Sequence, residues 1–446
     1  INEDRRGPSP KKISESLNIG DIIRIKKTTD GAWHLSQIPL AQASLVSLNP
    51  NNGFIKSLVG GFDFKQSHFN RATQAERQPG SNFKPFIYTA ALEGGLTPAS
   101  IINDAPIVFN DSSLENAWRP ENASGKFFGP TRLRQALYKS RNLVSIRALR
   151  STGIGNAISG MSRFGFDQSK LPKDLSLALG SHALTPIQVA QGYTVFANGG
   201  YKVDHLLVTK IEDVNNQIIY SAQHFEVCQI CDADPIGTSE TEANLEATNS
   251  SDKRKELDDT IILDNNLNEL IASNLKTEKE PQIALRVISP QISYLMDDML
   301  RDVIKKGTAR KAKVLERNDL AGKTGTTNGP KDAWFSGYNH HTVTTVWLGF
   351  DQSYALGRGE YGGTSALPIW IDYMRVALDG IPEKTRELPV GLISVRIDPI
   401  TGKRASPGDS NAIFELFRTE NTPEFKEDTD PIGIMEDNSA SPEDLY

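Results

Sequence analysis

The sequence predicts a mixed α/β fold: a mixed β-sheet covered by helices, with a short β-rich piece at its N-terminal end. Three observations point there. Strand-like runs lie near both ends of an ordered stretch, with helical patterns between and after them. Hydrophobic residues make up 38% of the 446 residues, enough for a sizeable core and too many for a disordered chain. One long polar, acidic run interrupts the pattern, and order resumes after it, as expected of a surface insert.

The elements follow in order. Residues 1–42 hold a Pro- and Lys-rich start, GPSPKK, and a short alternation over residues 21–25; this is a linker and the remnant of a small β-domain, too short for its own core. From Ala43, ASLVSLNPNNGFIKSLVGG reads as a hairpin, two β-branched runs around a turn of Asn, Pro and Gly. A helix follows Ser81 and stops at Gly94-Gly95. Three more helices are expected over residues 131–165. Thr185 as N-cap and Pro186 at the first helical position open another, which Gly199-Gly200 closes. Residues 206–219 read as a second hairpin.

Residues 222–282 change character and are expected to be a flexible insert. After Ser289-Pro290, the positions Ile292, Leu295, Met296, Met299, Leu300, Val303 and Ile304 share one helical face, a stripe that belongs to a core. Strands are expected at 319–327, 333–338 and 342–350, a helix at 366–378 and a strand at 391–397. The main domain is thus 43–403, and 404–446 is an acidic tail expected to be loosely attached.

Charge and cysteines narrow the function. A net charge of -6 does not favour a nucleic-acid partner. The two cysteines form one C-x-x-C, Cys228 and Cys231. No second pair completes a zinc site and no strand–helix pattern supports a redox dithiol. A local disulfide or two idle thiols are left open. No run approaches the roughly 20 apolar residues of a spanning helix. The start at Ile1 is read as that of a fragment, so an anchor outside this chain stays possible.

Three short elements carry chemistry: Ser81-Asn82-Phe83-Lys84, Ser140-Arg141-Asn142 and Lys323-Thr324-Gly325. Singly they are weak. S-x-x-K recurs at Ser9, Ser250 and Ser273, and S-x-N at Ser16 and Ser47. Setting separates them. Ser81 follows Pro79-Gly80 at a helix start, so Lys84 at i+3 shares its face and places an amine near the hydroxyl. Unpaired N–H groups there can hold an oxyanion. The bland alternative is an N-cap with a solvated lysine. Ser140 and Asn142 lie between two helical patterns, where serine is either a plain N-cap or a proton carrier. Lys323, Thr324, Gly325 and Thr326 sit in a strand whose glycine marks close approach by a ligand or backbone, and a lysine beside two hydroxyls suits a carboxylate.

Two rivals fail. Gly322-Lys323-Thr324 resembles the end of a phosphate loop, but Arg317 stands where that loop needs glycine, and strand rather than helix follows. A Ser-His-Asp hydrolase lacks G-x-S-x-G, and none of the seven histidines has a distinctive setting.

S-x-x-K, S-x-N and K-T-G in this order resemble the signature of penicillin-binding proteins and serine β-lactamases. The flanks QPGSNFKPFIYTAALEGG, GPTRLRQALYKSRNLV, LALGSHALTPIQVAQGYTVFANGG and GKTGTTNGPKDAWFSGY are similar to the transpeptidase domain of class A, bifunctional penicillin-binding proteins of the 1a type. The resemblance implies that fold, and a serine D,D-transpeptidase that cross-links peptidoglycan stem peptides and is acylated by β-lactam antibiotics. It implies Ser81 as nucleophile and Lys84 as base, with Ser140 and Asn142 as proton relay and substrate contacts. Lys323, Thr324, Gly325 and Thr326 would hold the terminal carboxylate, and the N–H groups of Ser81 and Thr326 the oxyanion. No metal or organic cofactor is implied. A parent with a glycosyltransferase domain, an inner-membrane anchor outside this chain, a periplasmic location and cell-wall synthesis regulators as partners follow from the same resemblance. D,D-carboxypeptidase, serine β-lactamase and non-catalytic β-lactam sensor remain as alternatives. The β-lactamase reading lacks the deacylating E-x-x-L-N element after Ser140.

Overall fold

The computed structural model describes residues 11–107, 118–228 and 279–425. At the N-terminal end, β1 (Arg24–Lys27) and β2 (Trp33–Ser36) pair as an antiparallel hairpin. None of residues 11–40 is buried, as expected of a piece with no core of its own.

The expected hairpin from Ala43 is β3 (Gln42–Leu48) and β4 (Ile55–Val59), joined through Gly53 in the left-handed region. After Ser81 comes α1 (Lys84–Glu93), capped by Gly94. All of α1 from Lys84 to Leu92 is buried, so this helix is enclosed on every side. Next are β5 (Ile101–Asp104), β6 (Gly129–Arg132), α2 (Leu133–Lys139), α3 (Asn142–Thr152) and α4 (Ile154–Ser162), the three expected helices. Thr185 and Gln188 form a capping box at the start of α5 (Pro186–Asn198), which ends at left-handed Gly199.

The second hairpin, β7 (Lys210–Glu212) and β8 (Ile218–Ser221), is solvent-facing. The insert leaves and returns side by side: β9 (Phe225–Glu226) pairs in parallel with β10 (Gln282–Ile283). Cys228 is disulfide-bonded; the chain's other cysteine, Cys231, and most of the expected insert lie outside the described residues.

The amphipathic stripe builds α6 (Pro290–Lys305), and all seven of its named apolar residues are buried in the main core. The central sheet follows with β11 (Ala321–Thr326), β12 (Asp332–Tyr338) and β13 (Val343–Gly349). Its order is β11-β12-β13-β3-β4, and every pairing is antiparallel. A mixed sheet was expected. The short links 327–331 and 339–342 allow only antiparallel neighbours, because a parallel pair needs a crossover of a dozen or more residues. Helix α7 (Leu367–Ala377) packs on this sheet, with Trp370 edge-on to Phe335 at a centroid distance of 4.9 Å.

The tail does not begin as a loose segment at 404. β14 (Leu392–Ile397) pairs antiparallel with β15 (Ile413–Arg418). Phe417 joins Ala99, Val395 and Ile397 in a small core. Glu415, 3% exposed, meets the buried Arg134 of α2 at 2.6 Å. Asp298 and Asp302 of α6 bind the same guanidinium at 2.7 and 3.2 Å. A buried, paired carboxylate ties this strand to the domain. Residues 426–446 lie outside the described part.

Candidate active site

The nucleophile candidate sits on a built turn. Ser81 lies in a single 3₁₀ turn, Gly80–Phe83, and the α-helix starts only at Lys84. It is therefore not an α-helix N-cap, as the bland reading had it. A 3₁₀ turn eclipses positions i and i+3, so Lys84 still falls on the side of Ser81. Gly80 makes the turn possible: its φ is 56°, and a Cβ there would stand 2.6 Å from the Thr326 carbonyl oxygen. Gly325 and Gly180 serve the same close approach, since a Cβ on either would meet backbone oxygen of Pro79 at 2.4 Å or of Gly80 at 2.3 Å. The glycine of the K-T-G element is thus explained by the backbone of the Ser81 turn.

Polar side chains pin this turn. Trp334 Nε1 donates to the Gln78 carbonyl at 2.8 Å, and Gly80 N–H donates to Gly180 at 3.2 Å. Asn82, fully buried, donates to Ser336 Oγ at 2.8 Å, while the Tyr193 hydroxyl lies 2.6 Å from its amide oxygen. Neither Asn82 nor Tyr193 has a local pattern to mark it.

Lys84 is 0% exposed. Its Nζ donates to the Ser140 carbonyl at 2.9 Å and to Asn142 Oδ1 at 2.8 Å, and lies 3.4 Å from Ser140 Oγ. Its pKa is held well below the ordinary lysine range. Burial is the chief cause and the Lys323 charge the next; Asp104 opposes them and Arg141 adds to them. Lys323 is also 0% exposed, and burial pushes its pKa down to about 7. Its Nζ donates to Ser140 Oγ at 2.9 Å and to the Thr324 carbonyl at 2.9 Å. All three sequence elements therefore meet at Ser140.

Ser140 is not an N-cap. It terminates α2 in the left-handed region, φ 57° and ψ 43°, with Arg141 as the residue preceding α3. A non-glycine residue held there stores of order 1–3 kcal/mol, which the surroundings must offset. That conformation aims both its carbonyl and its hydroxyl at the two lysines.

Thr324 and Thr326 line the cavity, while Lys323 and Gly325 alternate away from it. The Thr324 hydroxyl is 2.7 Å from that of Thr308, and Thr326 Oγ1 accepts from Gly362 N–H at 3.1 Å. The cavity measures about 1010 Å³ and runs from Ser81 past Ser140 to Trp118 and Tyr361. Lys139, Arg141, Arg310 and Lys311 line it, and no Asp or Glu side chain does among the described residues. A long groove whose described lining carries basic side chains suits an anionic chain. Among the described residues no cluster of His, Cys, Asp and Glu could hold a metal ion.

The S-x-x-K decoys at Ser9, Ser250 and Ser273 begin outside the described residues, and the S-x-N pairs at Ser16 and Ser47 are not among the residues that line this cavity. One expectation changes. One histidine does have a distinctive setting: His182 is buried edge-on against Phe83 at 4.3 Å, both ring nitrogens lack a protein partner among the described residues, and burial pushes its pKa down to about 4. Its neutral ring packs behind the Ser81 turn. Sequence reasoning also missed Asp104 and Asn122: the fold brings Asn122 against Asn142, and Asp104 reaches it through Asn122. Asn122 Oδ1 accepts from the Asn142 backbone N–H at 2.8 Å, and its amide donates to Asp104 at 2.8 Å.

Comparisons with known proteins agree with the geometry. Residues 43–374 match the model of the penicillin-binding protein transpeptidase domain, and residues 1–41 that of the penicillin-binding protein OB-like domain. The chain is 47% identical to penicillin-binding protein 1A of Pseudomonas aeruginosa, over 100% of this chain and 54% of the relative. It is 39% identical to that of Escherichia coli, over 94% of this chain and 52% of the relative. The chain thus spans about half the length of the curated relatives it matches. The crystal structure of penicillin-binding protein 1A from Haemophilus influenzae aligns with a TM-score of 0.77 at 36% identity, covering 90% of this chain and 57% of that one.

Proposed function

The chain belongs to the transpeptidase family of penicillin-binding proteins and is a serine D,D-transpeptidase, and on that premise we propose that Ser81 is the residue acylated and Lys84 its base. The observation that carries the assignment is the bonding of Lys84. A neutral amine has two N–H donors and one lone pair. The two donors are taken by the Ser140 carbonyl and Asn142 Oδ1, which leaves the lone pair free; Ser140 Oγ stands 3.4 Å from Nζ, and the eclipsed 3₁₀ turn puts Ser81 on the same side. Burial in a cation-rich site favours that neutral form.

The reaction then runs as follows. Ser81 Oγ attacks the carbonyl carbon between the last two residues of a stem peptide, and its proton passes to Lys84. The N–H groups of Ser81 and Thr326 stabilise the oxyanion, at the point where Gly80 touches the Thr326 backbone. The C–N bond breaks as Ser140 Oγ, between the two lysines, hands a proton to the leaving amine and is refilled from Lys84. Thr324 and Thr326 bind the terminal carboxylate, with Lys323 behind them adding positive charge and Gly325 giving the strand its close fit. In the second half the acceptor amine attacks the ester and gives a proton to Lys84; the C–O bond to Ser81 breaks as Lys84 returns that proton to Ser81 Oγ, which leaves the new amide and the free enzyme.

The lack of a carboxylate in the cavity lining among the described residues supports transfer over hydrolysis, because a deacylating water would be served by such a base. The same reading makes peptidoglycan stem peptides and β-lactams the ligands of the cavity. On resemblance alone it extends to a longer parent that is also a glycosyltransferase. That parent would be anchored by an N-terminal segment to the periplasmic face of the inner membrane and tuned by cell-wall synthesis regulators. No helix among the described residues is long and apolar enough to cross a membrane.

The test is intact-mass analysis after incubation with benzylpenicillin. One stable adduct on Ser81, absent from Ser81→Ala, is expected. Unmodified protein would sink the assignment, and rapid turnover of the drug would favour the β-lactamase reading.

A further inference from the structure

We propose that Asn122, held by the buried carboxylate of Asp104, is a positioning residue: it holds the Asn142 backbone and the adjoining Glu121 carbonyl that fixes the amide of Asn142 against Lys84. The inference rests on the reading of Ser81 and Lys84 as nucleophile and base.

The chain of contacts is continuous. Asp104 ends β5 and is fully buried. Its two oxygens accept from Asn122 Nδ2 at 2.8 and 3.0 Å, and Arg141 stands 3.7 Å away. Asn122 Nδ2 also donates to the Lys126 carbonyl at 2.9 Å, so its amide has one orientation. Nδ2 facing a carboxylate and a carbonyl forces Oδ1 to the other side. There Oδ1 accepts from the Asn142 backbone N–H at 2.8 Å.

That N–H is the first of α3 and has no partner within the helix. Asn122 is therefore a cap supplied by a distant loop. The residue before it grips the same asparagine: the Glu121 carbonyl accepts from Asn142 Nδ2 at 2.7 Å. This contact decides which end of the Asn142 amide faces Lys84. With Nδ2 bound to Glu121, Oδ1 is the atom presented to Lys84 Nζ. A flipped amide would offer Lys84 a donor in place of an acceptor, and the lysine would lose one of the two bonds that orient its lone pair.

Asp104 acts on Lys84 through charge as well as through Asn122. The charged and titratable groups facing Lys84 are Lys323 from β11, Arg141 from the α2–α3 junction and Asp104 from β5, with the Tyr88 phenol of α1, bonded to Ser145, nearby. Asp104 alone among them carries negative charge. It holds the lysine's affinity for protons up against its two cationic neighbours, so that Lys84 can both take a proton and return it.

The experiment measures the second-order rate of acylation by benzylpenicillin across pH, with thermal melting as a control, in wild type, Asn122→Ala and Asp104→Asn. Formation of the wild-type adduct on Ser81 settles the underlying assignment first, so its failure is distinct from failure here. Asn122→Ala is expected to acylate about 10- to 100-fold more slowly, the cost of misplacing a catalytic group by up to roughly 1 Å. Asp104→Asn keeps the side-chain shape but removes the charge; the acid limb of its pH profile is expected to move to lower pH. A purely structural role would lower the melting temperature and leave that limb in place. Wild-type acylation by a folded Asn122→Ala overturns the proposal. If Asn122→Ala does not fold, Asp104→Asn decides: a limb shifted down supports the proposal, and an unmoved or raised limb overturns it.

Discussion

Replacing Gly80 by alanine tests how closely the Ser81 turn must sit against β11. Two costs follow from the structure. The backbone at Gly80 has φ 56°, where an L-residue loses roughly 1–2 kcal/mol. The new Cβ would also lie 2.6 Å from the Thr326 carbonyl oxygen, where ordinary contact begins at 3.4 Å. The turn must therefore recede from the strand by about 0.8 Å, the difference of those two distances. Ser81 and the Thr326 N–H lie on the two sides of that contact, so the proposed nucleophile moves away from the proposed oxyanion site. Near-attack geometry tolerates little of this; a shift of about 1 Å costs up to about 100-fold. Gly80→Ala is expected to lose 10- to 100-fold in benzylpenicillin acylation, by stopped-flow or mass-resolved time courses, beside a destabilisation of about 1–2 kcal/mol or more. Gly95→Ala is the control. Its φ is 98° and nothing lies within 4 Å of a Cβ there, so it takes the backbone cost without the clash and far from Ser81. It should melt earlier and acylate normally. Wild-type acylation by Gly80→Ala, or an equal loss in Gly95→Ala, would refute the reasoning.

Two further outcomes are expected. Lys323→Met removes the cation that depresses Lys84, so Lys84 binds its proton more tightly, its neutral fraction at a given pH falls, and the acid limb of acylation moves to higher pH, opposite to Asp104→Asn; a pH–rate profile that shifts downward contradicts the charge coupling. Glu415→Ala breaks a buried ion pair with Arg134 and should cost about 3–5 kcal/mol, toward the lower figure because Asp298 and Asp302 remain, as read by urea unfolding; a change under about 0.5 kcal/mol would mean that the segment after 404 is as loosely held as its composition implies.

Local chemistry was legible where it is encoded locally. The turn and helix after Ser81 show in Pro79-Gly80 and in the Gly94-Gly95 stop. Thr185-Pro186 marks a capped helix, and the seven-residue stripe of α6 marks a core face. The tail misled for the converse reason. Its acidic composition describes a solvated segment, yet one of its carboxylates, Glu415, finds Arg134 across most of the domain. The antiparallel sheet was readable in principle from the short links between its strands.

By itself, then, the sequence determined which residue types are candidates for the chemistry, their order, and the helices and strand that flank them. Periodicity, caps and glycine stops act over a few residues, and a one-dimensional chain displays them directly. Only the tertiary structure decided that Ser81, Ser140 and Asn142 line one cavity with Lys84 and Lys323 bonded behind Ser140, that Ser140 holds a left-handed backbone, and that Asn142 presents its oxygen to Lys84. Each of these depends on partners far apart in sequence: Lys84 on Ser140, Ser140 on Lys323, Asn142 on Glu121 and Asn122. Burial is the chief cause of the lowered pKa of Lys84 and brings Lys323 to about 7, and burial is a property of the packed domain that no short motif contains.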